Sequence, residues 1–107
     1  MDIARTPAPP YYAVIFTSLR TEGDNGYDQM AGRMVELAAQ QPGFLGLETA
    51  REGLGITVSY WDSLEAITNW KAQSAHLVAQ RLGKEKWYAS FQLRVCRVER
   101  DYGFERG

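Results

Sequence analysis

Four residues in the second half of the chain have side chains that suit chemistry on an aromatic molecule. The three tryptophans, Trp61, Trp70 and Trp87, fall within 27 residues, and the only histidine, His76, lies between the last two. An indole offers a flat apolar surface with one N–H donor, which suits a flat, conjugated ligand. A neutral imidazole, which titrates near physiological pH, would serve as a general base or as a hydrogen-bond partner for a phenol.

Each of these residues also has an ordinary structural interpretation. A lone histidine is more often structural or merely exposed than catalytic, and the three tryptophans suit core or interface positions. In a straight helix His76 would lie about 120° around the axis from Trp70, so the two would not share a face. They converge only if the helix breaks between them, where Ser74 could cap a new helical segment. The catalytic prediction for His76 therefore depends on a break near Ser74.

Composition and motifs argue against several kinds of site. The sole histidine and the sole cysteine, Cys96, stand 20 positions apart on different predicted elements, so we predict no metal site and no cofactor. The chain lacks the glycine-rich sequences that cradle nucleotide phosphates. Its 12 basic and 13 acidic side chains form no basic stripe, which argues against nucleic-acid binding.

The cellular location follows from what the sequence lacks. A single cysteine cannot form an internal disulfide and fits a reducing compartment. No apolar run has the length of a signal peptide or a membrane span. We therefore expect a cytoplasmic protein that does not associate with a membrane.

The rest of the sequence predicts the elements that must position these residues. Asn25 or Asp28 could cap a first amphipathic helix, and Ser63 is a good N-cap for a second. Glu52 and Gly53 mark a tight hairpin between two short strands. The predicted order is βαββαβ, with strands at about 11–19, 44–51, 54–61 and 88–100 and helices at about 27–41 and 64–82. This order is typical of a ferredoxin-like α+β fold, an antiparallel sheet with both helices on one face.

The strand patterns predict a partner for the other face of the sheet. The first strand is apolar on both sides, although two helices can cover only one. The last strand changes register between Cys96 and Val98, which indicates either a bulge or a strand that leaves for a partner's sheet. We therefore predict a homodimer formed through the open sheet face and the C-terminal strand. The alternative is a monomer with an apolar open face.

The order βαββαβ together with the segment YWDSLEAITNWKAQSAH resembles the antibiotic biosynthesis monooxygenase domain of the dimeric α+β barrel superfamily. The segment RLGKEKWYASFQLRVCRVER is similar to a subgroup of small, mostly uncharacterised bacterial members. The resemblance covers a domain at 11–102, which leaves 1–10 as an extended proline-rich lead-in and 103–107 as a tail.

This resemblance implies a homodimer in which each subunit holds a pocket between its helices and its sheet. Some members oxygenate polycyclic phenols to quinones without metal or flavin, and others degrade haem. In the quinone-forming chemistry the phenolate of the substrate delivers electrons to oxygen, so the protein only deprotonates, positions and shields it.

The match to the functional residues of the family is partial. Trp70 matches the helix tryptophan of both the quinone-forming and the haem-degrading members. His76 stands where the quinone-forming members resemble one another in having a tyrosine, and Ala66 stands where they carry an asparagine. Gln80 occupies the place of the axial histidine of the haem degraders, so haem degradation is disfavoured.

These observations predict a cofactor-independent monooxygenase that acts on an aromatic or phenolic small molecule. His76 would be the base or orienting group, and Trp70 would be a pocket wall and N–H donor. Further residues expected to line the substrate site are Trp61, Tyr12, Phe16 and Trp87. Two alternatives remain, a non-catalytic dimeric module that binds a small molecule and a structural interaction domain with a filled core.

Overall fold

The sheet has the topology that the sequence predicts. The computed structural model describes residues 2–76 and 86–107, apart from the side chains of residues 75 and 76. The elements are β1 (Tyr11–Arg20), α1 (Tyr27–Ala39), β2 (Phe44–Glu52), β3 (Leu54–Trp61), α2 (Leu64–His76) and β4 (Tyr88–Val98). The strands form one antiparallel sheet in the order β2-β3-β1-β4. The ferredoxin-like α+β prediction is confirmed.

The starts of the two helices are fixed by side-chain caps, one of which the sequence interpretation assigned wrongly. Ser63 accepts a hydrogen bond of 3.0 Å from the Ala66 amide, which is the predicted N-cap of α2. At α1 the capping group is Asp24, not Asn25 or Asp28. Its carboxylate accepts from the Gly26 amide at 3.0 Å and from the Asp28 amide at 3.2 Å. Only Asp24 reaches these amides because Asn25 and Gly26 adopt left-handed conformations that turn the chain into the helix.

Helix α2 is continuous from Leu64 to His76, so the break considered near Ser74 does not occur. Ser74 is buried, and its hydroxyl donates to the carbonyl of Lys71 at 2.9 Å. This local bond satisfies the hydroxyl inside the helix, so Ser74 does not act as a cap. The remainder of the predicted second helix, 77–82, lies outside the described residues.

The edge strand β4 pairs with β1 through its whole length. The register between Cys96 and Val98, opposite Ala13 and Tyr11, is regular, so the predicted irregularity there is wrong. The sequence pattern changes because apolar side chains are needed first on the helix side of the sheet and then on its open side. The register shift lies instead at the other end of the strand, between Leu19 and Arg20 of β1.

The helix side of the sheet carries the buried core. The core cluster contains Val14, Trp61 and Ala66, and the partly buried residues that pack on it are Phe44, Ile67 and Trp70. Sheet and helix therefore meet most closely where β3 ends and α2 begins.

The open side of the sheet is covered at one end only. Glu48 accepts from the Tyr60 hydroxyl at 2.6 Å and from the amide of Ala4, in the N-terminal segment, at 3.0 Å. At the other end Leu19, Leu54 and Ile56 form an apolar patch that is 42–49% exposed. Within the described ranges, no helix is long and apolar enough to span a membrane.

Candidate functional site

Trp61, at the end of β3, is a core residue. Its side chain is 0% exposed, and its indole N–H donates to the Ser59 hydroxyl at 2.9 Å. The ring stacks on Trp70 with centroids 6.2 Å apart and meets Phe44 edge-on at 5.4 Å. Neither the ring surface of Trp61 nor its N–H donor is therefore free to contact a ligand in this structure.

Trp70 is the partly buried indole of this end of the molecule. It lies four residues after Ala66 and four before Ser74, so α2 presents these three side chains to the sheet. The described residues provide no acceptor for its N–H, and no buried side-chain nitrogen or oxygen among them lacks a partner. The indole N–H of Trp70 therefore has no partner within the described part of the chain.

Trp87 lies far from the other two tryptophans. It precedes Tyr88, which pairs with Arg20, whereas Trp61 pairs with Tyr12, eight residues earlier on β1. Eight residues of strand span roughly 26 Å. Trp87 is buried, and its indole donates to the Asn25 carbonyl at 3.0 Å. The structure thus divides the three tryptophans between two ends of the sheet.

Between these ends the helix side of the sheet carries a half-exposed apolar surface. Directly paired residues point to the same side, so Leu93 faces the helix side with Phe16, and Val95 does so with Val14. On β4, Phe91, Leu93 and Val95 are 40%, 45% and 48% exposed. We call Phe16, Phe91, Leu93 and Val95 the helix-side floor.

The predicted lining residues Phe16 and Tyr12 take different positions on β1. Phe16 contacts Phe91 and Tyr88, with ring centroids 5.4 Å away in both cases. Tyr12 lies on the same side of the sheet, paired with Trp61 on β3 and with Arg97 on β4. Phe16 is therefore part of the floor, and Tyr12 stands at its Trp61 end.

At its other end the floor meets a pair of tyrosine hydroxyls. The Tyr88 ring packs edge-on against Tyr27, at the start of α1, with centroids 5.7 Å apart. The Tyr88 hydroxyl donates to that of Tyr27 at 3.3 Å. Burial, and then this hydrogen bond, raise the pKa of Tyr88 above its ordinary value of 10.0. Tyr88 is therefore a neutral phenol at physiological pH.

Two arginines flank the tyrosine pair. The Arg20 guanidinium lies 3.6 Å from the centroid of the Tyr27 ring, and its Nε donates to the Trp87 carbonyl at 3.1 Å. Arg51 donates to the carbonyl of Ser18 at 3.2 Å and to its hydroxyl at 2.5 Å. The positive charges of both arginines act to lower the pKa of Tyr88, against the effects that raise it, so both are within electrostatic range of its hydroxyl.

Sequence reasoning missed this tyrosine and arginine cluster. Tyr27 fitted the apolar stripe of α1, and Tyr88 fitted the start of a strand. Two signals were available in the sequence: Arg20 ends an otherwise apolar strand, and Arg51 stands across the hairpin from Gly55.

Among the predicted catalytic residues, His76 is not placed, because its side chain lies outside what the structure describes, and its role stays a prediction. The described residues contain no group of three or more His, Cys, Asp or Glu side chains arranged to hold a metal ion. The lining of two surface depressions includes none of the predicted site residues. One follows the outer side of α1 around Arg33, and the other lies between Pro9 and Tyr102.

Comparison with known proteins agrees with this fold. The chain is 52% identical over 105 residues to the uncharacterized protein YqjZ of Bacillus subtilis (strain 168), covering 96% of this chain and 92% of that protein. SnoaB, a cofactor-independent oxygenase from Streptomyces nogalater, superposes with a TM-score of 0.74 at 13% identity, over 87% of this chain and 97% of SnoaB.

A variant of MhuD with two manganese protoporphyrin IX molecules bound per active site has the same fold. Its TM-score is 0.64 at 21% identity, over 87% of this chain and 99% of that one. Both comparisons therefore concern the fold alone.

The sequence model of the antibiotic biosynthesis monooxygenase family matches residues 10–82, which include β1, the hairpin of β2 and β3, and the described part of α2. The match covers more than half of the chain, and the four-stranded sheet with two helices is the fold of the structural relatives. The chain belongs to the antibiotic biosynthesis monooxygenase family.

Proposed function

We propose that the protein is a cofactor-independent monooxygenase that acts on an aromatic or phenolic small molecule. The observation that carries this proposal is the helix-side floor, because Phe91, Leu93 and Val95 expose 40–48% of their surface on the side of the sheet that elsewhere forms the core. An apolar surface beside a few fixed polar groups suits a flat aromatic ligand. Membership of the family makes oxygenation the first activity to test.

The proposed reaction converts a phenol and O2 into a quinone and water. One oxygen atom enters the ring and the other leaves as water, so the substrate supplies all four electrons that reduce O2. The protein takes the phenol proton, holds the ring and excludes water. In this proposal His76 takes the proton, and Trp70 forms a wall and donates its indole N–H to a substrate oxygen.

We further propose that two copies of the chain pack through their open sheet faces, with the C-terminal strand contributing. The patch formed by Leu19, Leu54 and Ile56 supports this, since three large apolar side chains lie side by side with 42–49% exposure. Light scattering should give twice the chain mass for the native protein, and Ile56→Asp should shift it towards the monomer. A monomeric native protein at all concentrations would contradict the dimer. A single cysteine fits the reducing cytoplasm, where we expect the protein to act.

Oxygen uptake by purified, metal-free protein with a panel of polycyclic phenols tests the proposed reaction. The native protein should consume oxygen only when a substrate is present, with the corresponding quinone as product. His76→Ala should lower the rate at least about tenfold, which corresponds to about 1.4 kcal/mol of barrier. Trp70→Phe keeps an aromatic wall but removes the N–H, so it should reduce the rate less than Trp70→Ala.

The outcomes separate the parts of the proposal. Uptake that is unchanged in His76→Ala would keep the oxygenase and remove His76 as its base. Absence of uptake with every phenol would overturn the oxygenase.

A binding module without chemistry is the second candidate, and the continuity of α2 favours it. Because α2 does not break near Ser74, the local change that would have brought His76 towards Trp70 is missing. In that case the panel should contain molecules that quench tryptophan fluorescence on binding yet are recovered unchanged, and His76→Ala should bind them as the native protein does.

A further inference from the structure

We propose that Arg20, Arg51, Tyr27 and Tyr88 form a subsite for an anionic oxygen, a carboxylate or a phenolate, on a flat molecule whose ring lies on the helix-side floor. This inference rests on the proposed function, since it assumes that the floor holds the ligand, and it adds the charge and the orientation of that ligand.

Within the described residues, neither Arg20 nor Arg51 has a carboxylate partner. Arg20 donates to three backbone carbonyls, those of Trp87, Gly23 and Asp24, and Arg51 bonds to Ser18 and to the carbonyl of Gly53. In the described part of the chain, the ion-pair distance is met only by Arg5 and Glu105, on the exposed termini. Two guanidiniums that are held in place without a carboxylate partner produce a positive potential that favours a bound anion.

The nearby acidic side chain of Asp24 does not remove this potential. Its two oxygens accept from the amides of Gly26 and Asp28 at the start of α1, so the carboxylate serves as the helix cap. Asp28 is exposed and lies on the outer side of α1. Neither carboxylate is within ion-pair distance of Arg20 in the described structure.

The sheet leaves room for the Arg51 side chain at Gly55. Arg51 pairs with Gly55, which in turn pairs with Ser18, so the three lie in one row across the helix side of the sheet. The Arg51 side chain crosses the backbone of Gly55 to reach Ser18, and a Cβ at position 55 would collide with its guanidinium. Gly55 has no positive φ that would require glycine. Position 55 therefore has a physical reason to be glycine, because a larger residue would block the path of the Arg51 side chain.

The hydrogen bond between Tyr88 and Tyr27 has a direction that leaves one phenolic proton for a ligand. Tyr88 donates to the oxygen of Tyr27, so the Tyr27 proton is left for another acceptor. The described residues supply no such acceptor. The Tyr27 hydroxyl, whose ring lies under the Arg20 guanidinium, is then a hydrogen-bond donor in a positive field, which is the combination that an anionic oxygen requires.

The cluster is joined to the floor without a gap. Tyr88 packs on Phe16 at 5.4 Å and on Phe91 at 5.8 Å, and both rings belong to the floor. An aromatic ring that lies on Phe91 and Leu93 would thus direct a substituent on its edge towards Tyr27 and Arg20. The geometry favours ligands with one acidic edge over uncharged ligands of the same shape.

The test compares 2-naphthoate with 2-naphthamide, which has the same ring and nearly the same shape but no charge. Binding to the full chain is measured by calorimetry, with no oxygen chemistry involved. The native protein should bind 2-naphthoate at least roughly tenfold more tightly, the effect expected for one charge-assisted hydrogen bond. Arg51→Gln should remove most of this preference and leave the affinity for 2-naphthamide within about twofold.

Three further variants strengthen the test. Gly55→Ala keeps the charge but displaces the Arg51 guanidinium, so it should reduce the preference for 2-naphthoate as Arg51→Gln does. Tyr27→Phe should reduce it by roughly tenfold, the lower end of what one hydrogen bond to a charged group contributes. Arg33→Gln, on the exposed side of α1, makes the same change in net charge and should leave the preference intact. Circular dichroism and thermal unfolding verify that each variant is folded.

Equal affinities for the two naphthalenes in the native protein would overturn the subsite. A preference that survives in Arg51→Gln and Gly55→Ala, or that falls equally in Arg33→Gln, would overturn it as well. The oxygenase proposal can fail while the proposal of the anion subsite holds. If 2-naphthoate binds through Arg51 but no phenol leads to oxygen uptake, the subsite stands and the reaction does not.

Discussion

The two aromatic ends of the helix side of the sheet have similar composition but different roles. At one end Trp61 is 0% exposed, its N–H is bonded to Ser59, and its ring is covered by Trp70 and Phe44. At the other end the Tyr88 hydroxyl bonds to Tyr27, whose own proton has no acceptor among the described residues. The first end uses its aromatic rings to make a core, and the second keeps polar groups accessible beside an apolar surface.

This difference shows which property of an aromatic cluster indicates a site. Tryptophan is the larger and rarer residue, but a fully packed indole with a satisfied N–H has nothing left to offer a ligand. The smaller tyrosines retain a donor, and within the described residues Arg20 and Arg51 supply charge without a carboxylate at ion-pair distance. A hydrogen-bond donor that is left free and a positive charge without an ion-pair partner therefore indicate a ligand site better than the size of an aromatic ring does.

The largest effect should come from emptying the core at the Trp61 end. Trp61→Ala should lower the free energy of unfolding by roughly 3–5 kcal/mol, because it removes a fully buried side chain and leaves a cavity. Tyr27→Phe, at the other end, should cost less than about 1 kcal/mol, since it removes one partly exposed hydroxyl. Urea unfolding of both variants measures the contrast. Equal losses would contradict the division into a core end and a ligand end.

A second contrast uses two glycines that both have positive φ. Gly43 has φ of 87°, and a Cβ there would lie 2.6 Å from the Cβ of Ala66 in the core, whereas Gly53 has φ of 77° and open space around it. Gly43→Ala should cost roughly 2–4 kcal/mol through backbone strain and overpacking. Gly53→Ala should cost only the strain, roughly 1–2 kcal/mol. If Gly43→Ala lowered the free energy of unfolding in urea less than Gly53→Ala does, the core around Gly43, at the Trp61 end, would be loosely packed.

The helix caps give a smaller, matched pair. Ser63→Ala removes the cap of α2 at the Trp61 end, and Asp24→Ala removes the cap of α1 at the Tyr27 end. Each should lower the free energy of unfolding by about 1 kcal/mol. If Asn25→Ala rather than Asp24→Ala showed this loss, the hydrogen bonds at the start of α1 would be assigned wrongly.

The smallest predicted effect is on alkaline stability. The pKa of Tyr88 is raised in the folded protein, so the folded state keeps this proton where the unfolded state loses it. The resulting stability is complete below the unfolded pKa of 10.0 and is lost as pH rises above it through the folded pKa. Tyr88→Phe should therefore lose stability less steeply above pH 10 than the native protein. Thermal unfolding as a function of pH measures this. An identical decline of stability in the two proteins would contradict the raised pKa of Tyr88.

Tyr60 offers a control on the open side of the sheet. Burial, and then its hydrogen bond to Glu48, raise the pKa of Tyr60 to about 12. In an ultraviolet titration of tyrosinate, Tyr60→Phe should remove an ionisation near that pH and leave ligand binding unchanged. Loss of an ionisation near pH 10.0 instead would contradict the raised pKa of Tyr60.

The fold could be predicted from the sequence because its signals are local. The alternation of β1, the hairpin at Gly53 and the cap at Ser63 each specify backbone geometry within a few residues, and the structure follows them. The predicted irregularity near Cys96 failed because one pattern change has two explanations. A strand that is apolar on one face and then on the other looks in sequence like a strand with a bulge.

The candidate site was harder to predict because it joins residues distant in sequence. Arg20, Arg51 and Tyr88 meet only through the sheet register, which no local pattern reveals. The tryptophans were predicted as site residues from their residue type, but Trp61 and Trp87 are buried, and burial depends on tertiary packing that the sequence pattern does not show. The role of Trp70 as a pocket wall and N–H donor stays a prediction.

Methyl-resolved NMR of the native protein during titration with 2-naphthoate tests the central claim most directly. We predict saturable shifts for Leu93 and Val95, on the helix-side floor, and none for Leu54 and Ile56 on the open face. Shifts confined to Leu54 and Ile56 would place the ligand surface on the other side of the sheet and contradict a ligand site on the floor.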